Sequence, residues 1–209
     1  MVAAKLIQNG ILCQFRSRSI AFDIPQRHNP PQPVTSLRAH KWATIPDGAG
    51  VYRWYFPPEA IHQLKIDEYA PVDLLKFRTA PHGHVCLYHG MANSLAQRIQ
   101  WHAAQRLARS SMASGFLSTF RFTLLALNQF DYWQDEAKLN AYFDQLWVDW
   151  QPAESRPHAL ELEHQEFRSG FHYPLNIQGN PAPELAAYLK FVKQTRKSYK
   201  IHTLGQNHE

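Results

Sequence analysis

Four basic side chains, Arg98, His102, Arg106 and Arg109, stand four, four and three residues apart. On a helix this spacing lines one face. An arginine with a histidine one turn away offers a fixed cation for phosphate oxygens and an imidazole that can carry a proton. The run feeds directly from Tyr88-His89-Gly90. A glycine there permits a tight turn, and the N-terminus of the following helix adds positive potential for an anion. The competing reading is the solvated face of an amphipathic helix.

A second group lies in Ala159-Leu160-Glu161-Leu162-Glu163-His164-Gln165-Glu166-Phe167. At 100° per residue Leu160, His164 and Phe167 share a face, Glu163 lies at its edge, and Glu161 and Glu166 point elsewhere. A carboxylate turned toward the fold is costly unless it is paired or holds a cation. Glu163 is therefore the acid expected at a site, with a buried arginine partner as the alternative to a metal.

Other constellations compete. His82, His84 and Cys86 alternate and would share one face of a strand, where they could hold zinc, but no fourth ligand accompanies them, and histidine-rich strand ends are the plainer reading. Trp133, Trp147 and Trp150 could stack on bases, although core packing is the expectation for all three. No nucleophile elbow and no glycine-rich phosphate loop occurs.

The elements that must position these residues can be read from pattern and punctuation. Strands are predicted over 50–56, ended by Pro57-Pro58, over 84–89 and over 146–150. Helices are predicted around 59–63 and 72–77, then over 95–109 with Asn93 or Ser94 as cap, 120–127, 134–143, 158–168 closed by Gly170, and from 184 onward. Residues 1–46, with prolines at 25, 30, 31, 33 and 46, read as an irregular arm.

The chain has 209 residues, 44% hydrophobic and 19% charged, which suits one globular domain, or a small one with insertions. Two cysteines make neither a disulfide framework nor a four-cysteine zinc site. With no signal peptide and no membrane-spanning run, a cytoplasmic setting is expected. The net charge of +5 is unevenly spread: 74–130 holds six bases and no acid, 185–208 five bases and no acid, and 131–166 nine acids against Lys138 and Arg156. Such polarity suggests a basic surface for a polyanion.

The motifs together resemble the GIY-YIG nuclease family. Gly50-Val51-Tyr52 is similar to its GIY element and Tyr88-His89-Gly90 to its YIG element, with histidine where isoleucine or valine is usual. Arg98 falls eight residues after Gly90, and His102 four later. Ala159 to His164 resembles the segment around the family's metal-binding glutamate, and Pro174-Leu175-Asn176 the element that follows it. The 57–83 segment separates the two tyrosine motifs more widely than is usual, so Tyr55 stays open as the alternative to Tyr52.

The resemblance implies an α/β fold, with a three-stranded antiparallel sheet flanked by helices. Its boundaries would be an arm over 1–46, a nuclease domain over 47–183 with insertions at 57–83 and 111–143, and a basic helix and tail over 184–209. It also implies hydrolysis of DNA phosphodiester bonds with magnesium or manganese, in a restriction or defence role, by one chain or a homodimer. Tyr52 would be the base, Tyr88 would orient water, Arg98 would hold phosphate oxygens, and His102 would partner or replace the base. Glu163 would bind the metal and Asn176 would position phosphate or the Glu163 loop. Arg106, Arg109, Lys190, Lys193, Arg196, Lys197 and Lys200 would contact nucleic acid. The alternative is a nucleic-acid-binding module that keeps the scaffold without cutting.

Overall fold

The structure, a computed structural model, describes residues 28–114 and 117–205. In chain order it comprises β1 (Gln32–Pro33), α1 (Val34–Ala39), β2 (Gly50–Phe56), α2 (Ala60–Gln63), α3 (Ile66–Tyr69), β3 (Val85–Ala92), α4 (Leu95–Ala104) and α5 (Arg109–Ser114). Then follow α6 (Thr119–Leu127), α7 (Glu136–Asp144), β4 (Trp147–Pro152), α8 (Arg156–Phe167) and α9 (Ala186–Gly205). Among the described residues the four strands form one antiparallel sheet in the order β1-β4-β2-β3.

β2 runs through the middle of the sheet and is buried on both faces. Its period of two sends Tyr52, Trp54 and Phe56 into the main core under α4, α6 and α7, and Tyr55 into a smaller cluster with Cys86 and Tyr173. Tyr52 lies opposite Gly90 and Trp54 opposite Tyr88, with a bulge between Trp54 and Tyr55. The long 57–83 segment folds as α2, α3 and short 3-10 turns and returns the chain to pair beside β2. The two tyrosine motifs are thus neighbours across strands, whatever the length of chain between them.

Two differences from the sequence reading stand out. Part of the segment expected as an arm belongs to the body: Gln32 and Pro33 pair with β4, and Val34, Leu37, Trp42 and Ile45 are core residues. The sheet therefore has a fourth strand beyond the three expected. Pro33 is compatible with it because an edge strand can spare the missing N–H. Residues 1–27 of that arm and 206–209 of the expected tail lie outside the described residues.

The second difference is the helix expected over 95–109, which ends at Ala104. Its final carbonyls turn to side chains instead of further helix: Arg121 Nη1 donates to the carbonyls of His102 (3.3 Å) and Ala103 (3.1 Å), and Arg38 also reaches Ala103. Gln105 is extended, so Arg106 lies in a connection and Arg109 opens α5. They do not continue the face of Arg98 and His102.

Gly50 lets α4 approach the sheet. A Cβ there would sit 2.4 Å from the Gln151 carbonyl oxygen and 2.6 Å from Leu95 Cδ1. Ser94 then caps α4, accepting from the Gln97 N–H. Among the described residues no helix is long and apolar enough to cross a membrane.

Candidate active site

Tyr52, Tyr88, Arg98, His102, Glu163 and Asn176 line one cleft of about 350 Å³. They come from β2, β3, α4, α8 and the loop after α8, so six positions scattered over 125 residues meet in a single concave volume. Tyr52 and His102, 1% and 2% exposed, form its floor. The Tyr52 hydroxyl lies 2.7 Å from His102 Nε2, and its ring packs beside that of Tyr88, with centroids 6.2 Å apart. Tyr88 is held by stacking on Phe120, with ring centroids 4.2 Å apart.

Gly90 is what makes room for the first tyrosine. It faces Tyr52 across the strands, and a Cβ on it would lie 2.8 Å from the Tyr52 hydroxyl and 3.3 Å from the Tyr88 ring. Any side chain there would push the phenol off its place.

The imidazole of His102 is fixed at both nitrogens. Its Nδ1 is hydrogen-bonded to Ser118 Oγ, which also caps α6 by accepting the Arg121 N–H. Burial, with help from Arg98 and Arg121, holds the His102 pKa well below its ordinary value, so the ring is neutral. Burial also pushes the Tyr52 phenol well above its ordinary range; Tyr88 adds to this and Arg98 opposes it. Burial likewise raises Tyr88. A free tyrosinate is therefore disfavoured at the floor of this cleft, and a phenol hydrogen-bonded to a neutral imidazole is the resting arrangement.

Along the outer edge of β3, alternate residues present backbone groups away from the sheet. The Leu87 carbonyl accepts from the Leu175 N–H at 3.0 Å. Asn176 takes both groups of His89: its Oδ1 accepts the N–H (3.0 Å) and its Nδ2 donates to the carbonyl (2.6 Å). Next, the Met91 amide faces the Glu163 carboxylate and favours its charged form. Asn176 thus clamps the strand that carries Tyr88, and Glu163 is anchored one step further along the same edge.

Glu163 is half-buried, and burial lifts its pKa above the ordinary carboxylate value, with the Met91 amide opposing. It supplies the one carboxylate of the cleft lining, and among the described residues no group of three or more His, Cys, Asp or Glu side chains comes together. That donor set fits a hard divalent cation that keeps water and phosphate oxygens as its other ligands, as magnesium does. It does not fit zinc. His82 sits on an exposed turn at φ +59°, His84 Nε2 is bonded to the Gln145 carbonyl and Cys86 is fully buried, so the alternating trio forms no cluster.

Several features were not visible in the sequence. Tyr55, the alternative to Tyr52, is on the opposite face of the sheet and donates to Asp149 Oδ2 at 2.7 Å. The face of α8 that meets the sheet carries buried Ala159 with Leu162, Glu163, Glu166 and Phe167 half-buried, whereas Leu160 and His164 are exposed. Glu166 is thus turned inward, in correction of the helical-wheel reading. The sheet surface below it is polar: Arg78 pairs with Glu166 through two nitrogens, Tyr173 donates to it, and Arg53 lies 3.7 Å away. Arg53 in turn pairs with buried Asp149 at 2.8 Å. Of the expected stripe only Phe167 meets the sheet, while Leu160 and His164 turn outward.

Ser118 gives no sign of its role in the sequence. Its contact with His102 joins positions 16 residues apart and leaves no periodic trace. Trp150 is buried in the core, and Trp133 and Trp147 pack partly buried against the two clusters, as expected. Of the basic residues, Arg106, Arg109, Lys190, Lys193, Lys197 and Lys200 are exposed. Arg196 differs: its guanidinium is half-buried over the Phe122 ring, 5.2 Å from the centroid, on the side of α9 that packs against α6.

A family model described as the GIY-YIG catalytic domain matches residues 50–198 of the chain. No curated protein and no solved structure matches it.

Proposed function

The chain belongs to the GIY-YIG nuclease family, and on that premise we propose that it is a divalent-metal-dependent endonuclease that hydrolyses phosphodiester bonds of double-stranded DNA. The observation that carries the reading is the convergence of Tyr52, Tyr88, Arg98, His102, Glu163 and Asn176 on one cleft. A scissile phosphate must meet a base, a cation and a metal ligand at once, and such convergence is what that requires.

In this mechanism water attacks phosphorus while its proton passes to the Tyr52 oxygen. The Tyr52 hydroxyl proton moves at the same time to His102 Nε2, 2.7 Å away. No free tyrosinate has to exist beforehand, which suits a phenol whose pKa is raised by burial. The imidazolium that forms keeps its Nδ1–H on Ser118 Oγ. Tyr88 orients the water, and Arg98 holds the non-bridging oxygens as negative charge grows. Glu163 would hold magnesium or manganese, which when bound supplies charge stabilisation to the phosphate and to the departing 3′ oxygen. Asn176 fixes the β3 edge so that Tyr88 and Glu163 keep their spacing.

A chain with one such site cuts one strand at a time. Both strands would be cut by successive nicks or by two copies acting as a homodimer. A cytoplasmic role in restriction or defence fits the long 111–143 insertion, where target contacts could reside; exposed Arg109 lies just before it and Arg106 slightly upstream.

The test is nicking of supercoiled plasmid with magnesium, with manganese and with chelator, by wild type and Glu163→Gln. Cleavage that needs the metal and falls more than tenfold in Glu163→Gln, with DNA binding retained, is expected. Binding without cleavage in any metal would instead support the non-cutting module.

A further inference from the structure

Beside the cleft runs a second concavity, and resting on the nuclease reading above, we propose that it is the track for one DNA strand leaving the active site. This groove, about 600 Å³, is lined by Lys190, Lys193 and Lys197 of α9 together with Pro181, Pro183 and Leu189. Three observations select its occupant. First, the lysines stand at i, i+3 and i+7, so they project on one face of α9. All three are exposed, and none pairs with a carboxylate among the described residues. Glu184, the nearest acid in sequence, is turned to His172 at 3.8 Å.

Second, the groove lies close to the cleft. Gln178 lines the cleft and Asn180 lines the groove, so their Cα atoms are at most about 7.6 Å apart. A strand leaving the cleft past Asn176 and Gln178 would have these lysines within its reach. Third, the lining combines apolar side chains with three lysines, which matches a backbone of deoxyribose faces and phosphates. The three lysines span about 10 Å along the helix, enough for about three consecutive phosphates at their rise of about 3.4 Å per strand.

The track also sorts the basic residues of the C-terminal helix by role. Lys190, Lys193 and Lys197 hold the strand. Lys200 lies beyond the groove, and Arg196 is spent on Phe122.

The experiment measures binding of the full chain to a fluorescent 40-base-pair duplex and to an 8-base-pair duplex, in chelator, at rising salt. Lys190→Gln/Lys193→Gln/Lys197→Gln is compared with wild type and with Lys200→Gln. The triple variant is expected to flatten the slope of log affinity against log salt by up to about 3, and to lose most of the advantage of long over short duplex. Lys200→Gln should do much less, and hydrolysis of thymidine 5′-p-nitrophenyl phosphate, which cannot reach the groove, should be unchanged. An unchanged slope in the triple variant, or the same loss for polyglutamate with DNA binding intact, would overturn the track. Because binding is read without cleavage, the track can fail while the nuclease stands, and the reverse.

Discussion

The Tyr52 hydroxyl and His102 Nε2 are 2.7 Å apart at the floor of the cleft, both side chains almost wholly buried. The pair joins β2 to α4 and sets how a proton can leave the attacking water. Replacing His102 with alanine is expected to lower kcat by about 10²–10⁴-fold with little change in KM, the usual range for a lost proton acceptor. The pKa of His102 is depressed, so its accepting form persists below pH 6.5. The rate should therefore show no acid limb at the ordinary histidine value of about 6.5; an inflection there would remove His102 from the relay. Ser118→Ala should cost about fivefold in kcat, one hydrogen bond of about 1 kcal/mol, and Ser118→Thr should recover it.

Two glycines are expected to fail differently. In Gly90→Ala the new Cβ meets the Tyr52 hydroxyl, the end of a side chain that can swing away. Cleavage should drop by at least about tenfold, because a displaced base loses its alignment, while stability changes little. In Gly50→Ala the clash is with the Gln151 backbone oxygen and Leu95, which cannot yield without moving α4 off the sheet. That variant should lose about 1–3 kcal/mol of stability. Thermal unfolding beside a cleavage assay distinguishes the two, and equal melting losses would refute the assignment.

His89 occupies the position where the family resemblance leads one to expect isoleucine or valine. It is fully buried, and neither ring nitrogen has a hydrogen-bond partner. Burial lowers its pKa to about 3. An unfolded histidine takes up its proton near pH 6.5, so between about 6.5 and about 3 the unfolded state binds more protons and stability falls as pH falls. His89→Ile should remove that dependence, narrowing the loss between pH 7 and pH 5 by up to about 2 kcal/mol relative to wild type. Urea unfolding at the two pH values measures this; parallel losses would contradict it.

Asp149 receives Arg53 and Tyr55 and lies 3.1 Å from His28 Nδ1, at 1% exposure. Asp149→Ala leaves Arg53 buried beside unmet charge and should cost about 3–5 kcal/mol. The carboxyl of Asp149 is held below its ordinary range by its partners, against its burial. Its contribution is thus present above the unfolded value of about 3.9 and lost as pH falls through the folded one. A loss under 1 kcal/mol in chemical denaturation would show the pair to be dispensable.

The motif residues were legible because their chemistry and spacing are local: the Gly90-to-Arg98 interval, the cap at Ser94, and the aromatic and β-branched run of β2, whose bounds the structure reproduces. What escaped depends on contacts distant in sequence. α4 stops at Ala104 because Arg121 and Arg38 satisfy its carbonyls from elsewhere. Glu166 turns inward because Arg78 and Tyr173 await it. Even β1 could not be foreseen from an Asn-Pro-Pro-Gln-Pro run, since its only cause is the open edge of β4.

The clamp of Asn176 on His89 has a consequence for how copies of this chain can meet. Among the described residues, one border of the sheet has outward backbone groups of Leu87 and His89 engaged by Leu175 and Asn176, and the other border is a two-residue strand ending in proline. Among the described residues neither border offers a long run of free backbone groups to a foreign strand. Edge-to-edge pairing between copies is therefore disfavoured for the described body, and contacts between copies are left to its helices and loops.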